Sequence, residues 1–188
     1  LTALMGQEGY DDSELASQIQ YQGATYMIPV VNFVYPMFAN TDLLTKAGVS
    51  GIPATRDDFA AAAKAVTGGD VSGWALPLSL EAPNGIQNDV MSWVWASGGS
   101  RRTGDGMPNL KGNADVKSAS EFIKKLWDDG VVSPGAFTMK EQDKVEDFTN
   151  GRVGLMIDSL AHVNTIRQGN PDLAFDIAAI PAAAGYSG

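Results

Sequence analysis

The sequence contains no cysteine and only one histidine. The first absence removes disulfides, thiolate metal sites and cysteine nucleophiles, and the second removes any metal site that needs two imidazoles. A serine triad would have to use His162 alone. Basic residues are also scarce: 13 Lys and Arg stand against 22 Asp and Glu, a formal net charge of −9. With so few cations to displace phosphate counterions, nucleic acid and anionic membrane surfaces are poor partners. No run approaches the ~20 apolar residues of a membrane-spanning helix, and the opening LTALMGQEGYDD has neither the basic nor the apolar region of a signal peptide. The expectation is a mature or trimmed chain if the protein is exported.

What is present fits one compact body. The 188 residues are 44% apolar, and 21 Gly with 9 Pro imply many turns between short elements. DDSELASQIQ predicts a helix capped by Asp11 or Asp12, and the apolar segment after Gly23 predicts a strand over 24–29. Val34 to Ala39 reads as a further extended piece. Asn40 stands at an N-cap position, with Leu43 and Leu44 as a small apolar face and Gly48 where a left-handed residue would end the helix. Thr55 and Asp58 form a capping-box-like start to the alanine-rich RDDFAAAAKAV.

WALPL predicts a buried strand and residues 84–97 a helix ended by Gly98-Gly99. RRTGDGMPNLKGN has the composition of a turn or small hairpin, and Asn113 caps a helix with Val116, Ala119, Ile123, Leu126 and Trp127 on one face. MKEQDKVEDFTNG predicts a polar helix with Val145 and Phe148 turned inward. VGLMI predicts a buried strand, residues 160–168 a helix, and AFDIAAIP a last strand. Strands alternating with helices select an α/β lobe, a mixed and mostly parallel sheet flanked by helices.

Chemistry-bearing motifs are few. GDG at 104–106 lacks the oxygen ladder of a calcium loop and reads as a tight turn. The acid pairs Asp57-Asp58, Asp128-Asp129 and Glu141/Asp143 lie at helix ends, where carboxylates are favoured without any catalytic role. Asp158 differs, because it follows a buried strand directly, at the edge where open α/β sheets place ligands. Three loops share such a position: VNFVY, SLEAPNGIQN and DSLAH. If the sheet is parallel there, they converge and offer amides, hydroxyls, a carboxylate and aromatic rings to a small polar ligand such as a sugar. Trp93 shares a stripe with Ile86 and Val90 and reads as core. Trp95 shares a face with Asn88 and Met91, which leaves core and cleft both open.

In order, YQGATYMIPVVNFVYPMFANTDLLTKAG, PATRDDFAAAAKAVT, GWALPL, SWVWASGG, GDGMPNLKGNADVKSASEFIKKLWDDGVVSPGAF, FTNGRVGLMIDSLAHVNTI and AFDIAAIPAAAGYSG resemble family 1 of the bacterial extracellular solute-binding proteins. That family includes the maltose-binding and glycerol-phosphate-binding proteins. The resemblance implies a two-lobed receptor that closes on its ligand and delivers it to the permease subunits of an ABC importer. Residues 21–188 would be the second lobe, largely one domain, and residues 1–20 the tail of the first.

By position, the family's ligand contacts fall on Asn32, Phe33 and Tyr35, on Gln87 and Asn88, and on Ser159 and His162. Asp158 and Trp95 join them from the strand-end and helix-face arguments. Many members carry a Trp in the third set, and none stands between Asp158 and Ile166 here. A monosaccharide, a polyol or a phosphorylated polyol therefore all remain candidates. The resemblance implies a non-catalytic protein without cofactor or metal, a monomer, in the periplasm or lipid-anchored outside the cell. The alternatives are a carboxylate-dependent carbohydrate-active enzyme and an interaction domain without a small-molecule ligand.

Overall fold

The computed structural model describes residues 1–9, 19–28 and 33–183. Contacts divide the chain into two units, Leu1–Phe33 and Val34–Gly188. In the first, helix α1 (Thr2–Gln7) is followed by a hairpin of β1 (Gln20–Tyr21) and β2 (Ala24–Thr25), with Gln20 opposite Thr25. Gln22 and Gly23 both take positive φ, 50° and 77°, the conformation that a tight two-residue hairpin turn demands. That turn shortens the strand expected over 24–29. Only Ala24 and Thr25 are in a ladder, Tyr26 N adds one bond to the Ile19 carbonyl at 3.0 Å, and Met27 and Ile28 are exposed. The helix expected from DDSELASQIQ lies, apart from its last two residues, outside the described residues.

The second unit is built on a sheet of order β4-β5-β3-β6. Its strands are β3 (Met37–Asn40), β4 (Ser72–Trp74), β5 (Val153–Ile157) and β6 (Phe175–Ala178). β4 and β5 are parallel, whereas β3 is antiparallel to both β5 and β6. The mixed α/β lobe is as expected, and β4, β5 and β6 share one direction. The ladders correct the parallel emphasis: the opposed strand is interior, so the β3–β5 and β3–β6 pairings are both antiparallel.

Alternation along the strands serves two buried faces. Met37 and Ala39 of β3 and Leu155 and Ile157 of β5 enter one core with Phe59, Ala63, Trp93, Phe122 and Leu126. Those partners come from α3 (Arg56–Val66), α4 (Pro83–Trp95) and α5 (Ala114–Asp128). Phe38 and Met156 face the other way, against Val145 and Phe148 of α6 (Glu141–Thr149) and Ile166 of α7 (Val163–Gly169). VGLMI is a continuous apolar run because both of its faces are covered. Trp93 is in the core as expected, its ring edge-on to Phe59 at 5.0 Å and to Phe122 at 4.9 Å. Phe122, rather than the exposed Trp127, completes the inner face of α5.

Local signals set the boundaries. Asn40 Oδ1 accepts from Leu43 N at 3.0 Å to start α2 (Thr41–Lys46), and Thr55 Oγ1 accepts from Asp58 N at 3.1 Å to start α3. Asn113 Oδ1 accepts from Asp115 N and Val116 N at the start of α5. WALPL is buried, but β4 stops at Trp74. Beyond it Leu78 N bonds the Ala136 carbonyl at 2.8 Å, and Pro77 has no N–H to give a ladder. Gly73 lets β4 approach α3: a Cβ there would stand 2.2 Å from the Ala63 carbonyl oxygen.

Candidate functional site

The opposed direction of β3 decides where the site lies. Val34–Pro36 enters β3 at the end of the sheet from which the chain leaves β5. The two segments are tied there by Asp158 N to the Pro36 carbonyl at 3.1 Å and Leu160 N to the Val34 carbonyl at 2.9 Å. The described end of the first loop, from Val34, therefore does meet the third, although through an antiparallel strand.

The third segment arrives on α4. Asn88 lies beside the Tyr35 hydroxyl, where it lowers the phenol's pKa, and its amide donates to Glu141 Oε1 of α6 at 3.3 Å. Lys140 Nζ reaches Glu81 Oε2, in the loop after β4, at 2.8 Å in an exposed pair. Lys140 N also donates to Asp143 Oδ2 at 2.8 Å, which starts α6.

Under this rim lies a buried ionic cluster. Lys144 Nζ donates to Asp89 Oδ1 and Oδ2 at 3.1 and 2.9 Å and to the Ile157 carbonyl at 2.5 Å, with Lys144 and Asp89 both wholly buried. Asp158 Oδ2 stands 3.9 Å from the same ammonium. Asp158 Oδ1 accepts from Ser159 N at 2.5 Å and meets His162 Nδ1 at 2.8 Å. Asp158 is itself fully buried, while the His162 side chain keeps 29% of its surface.

Burial pushes the Asp89 carboxyl up to about 7 against the opposing pull of the Lys144 ammonium, and Asp158 and Glu141 push the same way. The Tyr35 hydroxyl is likewise held above its ordinary value. Burial is the main cause, followed by the charges of Glu141, Asp158 and Asp89, while the Asn88 hydrogen bond acts in the opposite direction. Tyr35 therefore stays a protonated donor at neutral pH. Here a phenol, an amide, a carboxylate, a hydroxyl and an imidazole meet on a rigid base, a donor and acceptor set suited to a small polyhydroxylated ligand.

The residues expected from sequence separate into groups. Tyr35, Asn88, Asp158, Ser159 and His162 come together. Gln87 is exposed beside Asn88 on α4. Trp95 is 41% exposed, two helical turns beyond Asn88 and so about 10 Å further along the axis. Phe33 closes the first unit with its ring exposed, and Asn32 lies outside the described residues. Glu141, read as a helix-end carboxylate, also joins the rim through Asn88, and Lys144 and Asp89 were not anticipated. Lys144 stands four residues before Phe148 and Asp89 four before Trp93, so each is a charge on the buried stripe of its helix. That is the signal that could have found them.

The other carboxylate pairs are helix furniture: Asp128 and Asp129 pair with Lys124 and Lys125 at 2.6 and 3.1 Å, and Asp58 caps with Thr55. Among the described residues no serine hydroxyl is bonded to His162, so its link to Asp158 is not completed into a triad. GDG is a turn, with Gly106 at φ 84° and Thr103 Oγ1 bonded to Asp105 Oδ1. Two surface concavities lie away from the rim, one of about 470 Å³ beside Gly48–Pro53 and one of about 340 Å³ over Arg101 and Arg102.

Fold and rim together define a mixed α/β lobe with a cluster of polar side chains at one edge of its sheet. The chain belongs to a family of bacterial extracellular solute-binding proteins, whose profile matches residues 4–188. It is 31% identical over 164 residues to a protein of Brucella abortus strain 2308 that is provisionally named a binding protein, across 85% of this chain and 38% of that protein. The chain thus spans well under half the length of this relative.

Solved structures share the fold. A sugar transporter from Arthrobacter chlorophenolicus A6 with bound laminaribiose superposes at a TM-score of 0.82 and 19% identity, over 98% of this chain and 46% of its own. An ABC transporter solute-binding protein from Agrobacterium radiobacter K84 in complex with ribitol gives 0.80 and 20%, over 99% and 48%.

Proposed function

We propose that this chain is a ligand-holding lobe of the substrate-binding component of an ABC importer. It takes a carbohydrate or polyol against the rim and, as part of a two-lobed receptor, delivers it to membrane permease subunits. The observation that carries the reading is the convergence of Tyr35, Asn88, Glu141, Ser159 and His162 at one sheet edge, braced by a buried ionic cluster. Sugars are recognised by this mixture of fixed amide, carboxylate and hydroxyl groups. Family membership and the sugar- and polyol-bound structures that share the fold support it.

The receptor is non-catalytic, works as a monomer, and resides in the periplasm or lipid-anchored outside the cell. The second half of the ligand site belongs to another lobe, in keeping with a chain that covers 46–48% of the two structures compared. The test is a thermal-shift or tryptophan-fluorescence titration of the full-length protein against monosaccharides, disaccharides and polyols. Saturable stabilisation without product is expected, since a ligand bound only by the native state raises stability. Turnover of any glycoside in the panel would sink the reading. The 188-residue chain alone is expected to bind weakly or undetectably, and micromolar affinity by it would refute the half-site.

A further inference from the structure

Lys144 is an expensive residue for the place it occupies. A fully buried ammonium gives up its hydration, which its partners must offset, and an apolar side chain of similar length would fill the space without that penalty. An apolar side chain could not bond α4 and the end of β5 at once. Lys144 makes both Asp89 contacts and takes the Ile157 carbonyl, immediately before the chain leaves the sheet at Asp158. Its ammonium also faces Asp158 Oδ2, a buried oxygen with no hydrogen bond among the described residues. The other Asp158 oxygen is held by Ser159 N and turned to His162 Nδ1.

A carboxylate only accepts hydrogen bonds, so the ring nitrogen facing it must carry the proton. His162 Nε2 has no partner among the described residues. We propose that Lys144 is a positioning residue for the third rim loop: it holds Asp158, and Asp158 holds His162 with Nδ1 tied down and Nε2 left to meet the ligand. Given the carbohydrate reading, which the last part of this inference rests on, a neutral ring so held offers Nε2 as an acceptor. The group it suits on the ligand is a hydroxyl, a donor, rather than a phosphate oxygen.

The chain has a single histidine, so a ring nitrogen-15 spectrum of the labelled protein reports His162 without ambiguity. The wild type is expected to show Nδ1 protonated, with any loss of proton occurring at Nε2. Lys144→Met is expected to release the ring, so that the Nε2–H tautomer enters the spectrum, while Lys124→Met, which breaks only an exposed pair with Asp128 on α5, leaves the signal unchanged. If Lys144→Met does not fold, Lys144→Met with Asp89→Asn removes the stranded carboxylate charge and gives the same readout.

A wild-type ring protonated at Nε2 alone overturns the proposal, and so does a Lys144 variant whose ring spectrum matches the wild type. Ribitol and maltose are then titrated into the full-length protein, where a shift of the His162 Nε2 signal supports the ligand contact. A locked ring that neither probe perturbs supports the positioning role and counts against the carbohydrate reading.

Discussion

The strongest test of the architecture is the stability of Lys144→Met as a function of pH. The variant keeps an unbranched side chain of similar length and removes the one cation between Asp89 and Asp158. Breaking a buried pair by deleting one partner costs about 3–5 kcal/mol, because the other charge is left in the interior. For a domain of this size that lowers the melting temperature by roughly 6–20 °C.

The pH dependence follows from Asp89, whose carboxyl is raised to about 7 in the fold against about 3.9 in an unfolded chain. A raised folded value gives stability that is complete below the unfolded value and is lost as pH climbs to the folded one. In the wild type that loss ends near 7. In the variant the cation that lowers Asp89 is gone, so its folded value rises further. The variant then keeps losing about 1.4 kcal/mol per pH unit where the wild type is level. At about pH 5.5 both proteins hold the Asp89 proton, so the part of the gap that comes from a stranded Asp89 charge is absent there. Urea unfolding followed by the fluorescence of the buried Trp74 and Trp93 measures the gap. A gap under about 1 kcal/mol at pH 8.5, or one no wider there than at pH 5.5, would refute the reasoning.

Three further outcomes can be checked with the same tools. Gly73→Ala drives a methyl into the Ala63 carbonyl, 2.2 Å away, and is expected to cost about 1–3 kcal/mol or more by overpacking, read from the urea midpoint. Asn113→Ala removes the cap of two α5 amides and bonds to the Ser100 and Asn109 carbonyls at 2.7 and 2.8 Å; a loss of about 1–2 kcal/mol is expected, and no change would deny the cap its role. Asn88→Ala frees Tyr35 and Glu141 and is expected to weaken sugar or polyol binding by the full-length protein about tenfold, measured by calorimetry, with little effect on stability.

Sequence patterning reached the element plan because its strongest signals are local. Asn40, Thr55 and Asn113 each cap a helix through their own side chain, and VGLMI is legible as a strand buried on both faces. What depended on distant pairing was not legible. The segment at 24–29 has the composition of a core strand, yet Gln22 and Gly23 fold it into a local hairpin. The direction of β3 is invisible in its own residues, since MFAN buried on both faces reads alike in either sense. The three rim segments could be picked from their positions after apolar runs, but the cluster beneath them could not. Lys144 and Asp89 lie 55 residues apart, and a charge on an apolar stripe reads as a solvated exception until its partner is known.

The opposed strand and the buried cluster belong to one solution. An antiparallel β3 brings an entering segment, Val34–Pro36, beside a departing one, Asp158–Leu160, and their backbone bonds use amides that a sheet edge would leave open. The first lies just before β3 and the second just after β5, outside the ladders, so the side chains at the rim need another source of rigidity. α4 and α6 supply it: Asn88 with Glu141 at the surface and Asp89 with Lys144 below are adjacent residues on one helix meeting positions three apart on the other. The surface pair sets polar atoms at the rim, and the buried pair ties together the helices that carry them. A ligand site on loops is as exact as the elements behind it. On the proposed reading exactness rests on a wholly buried ammonium, so loss of Lys144 should loosen the rim as well as the fold.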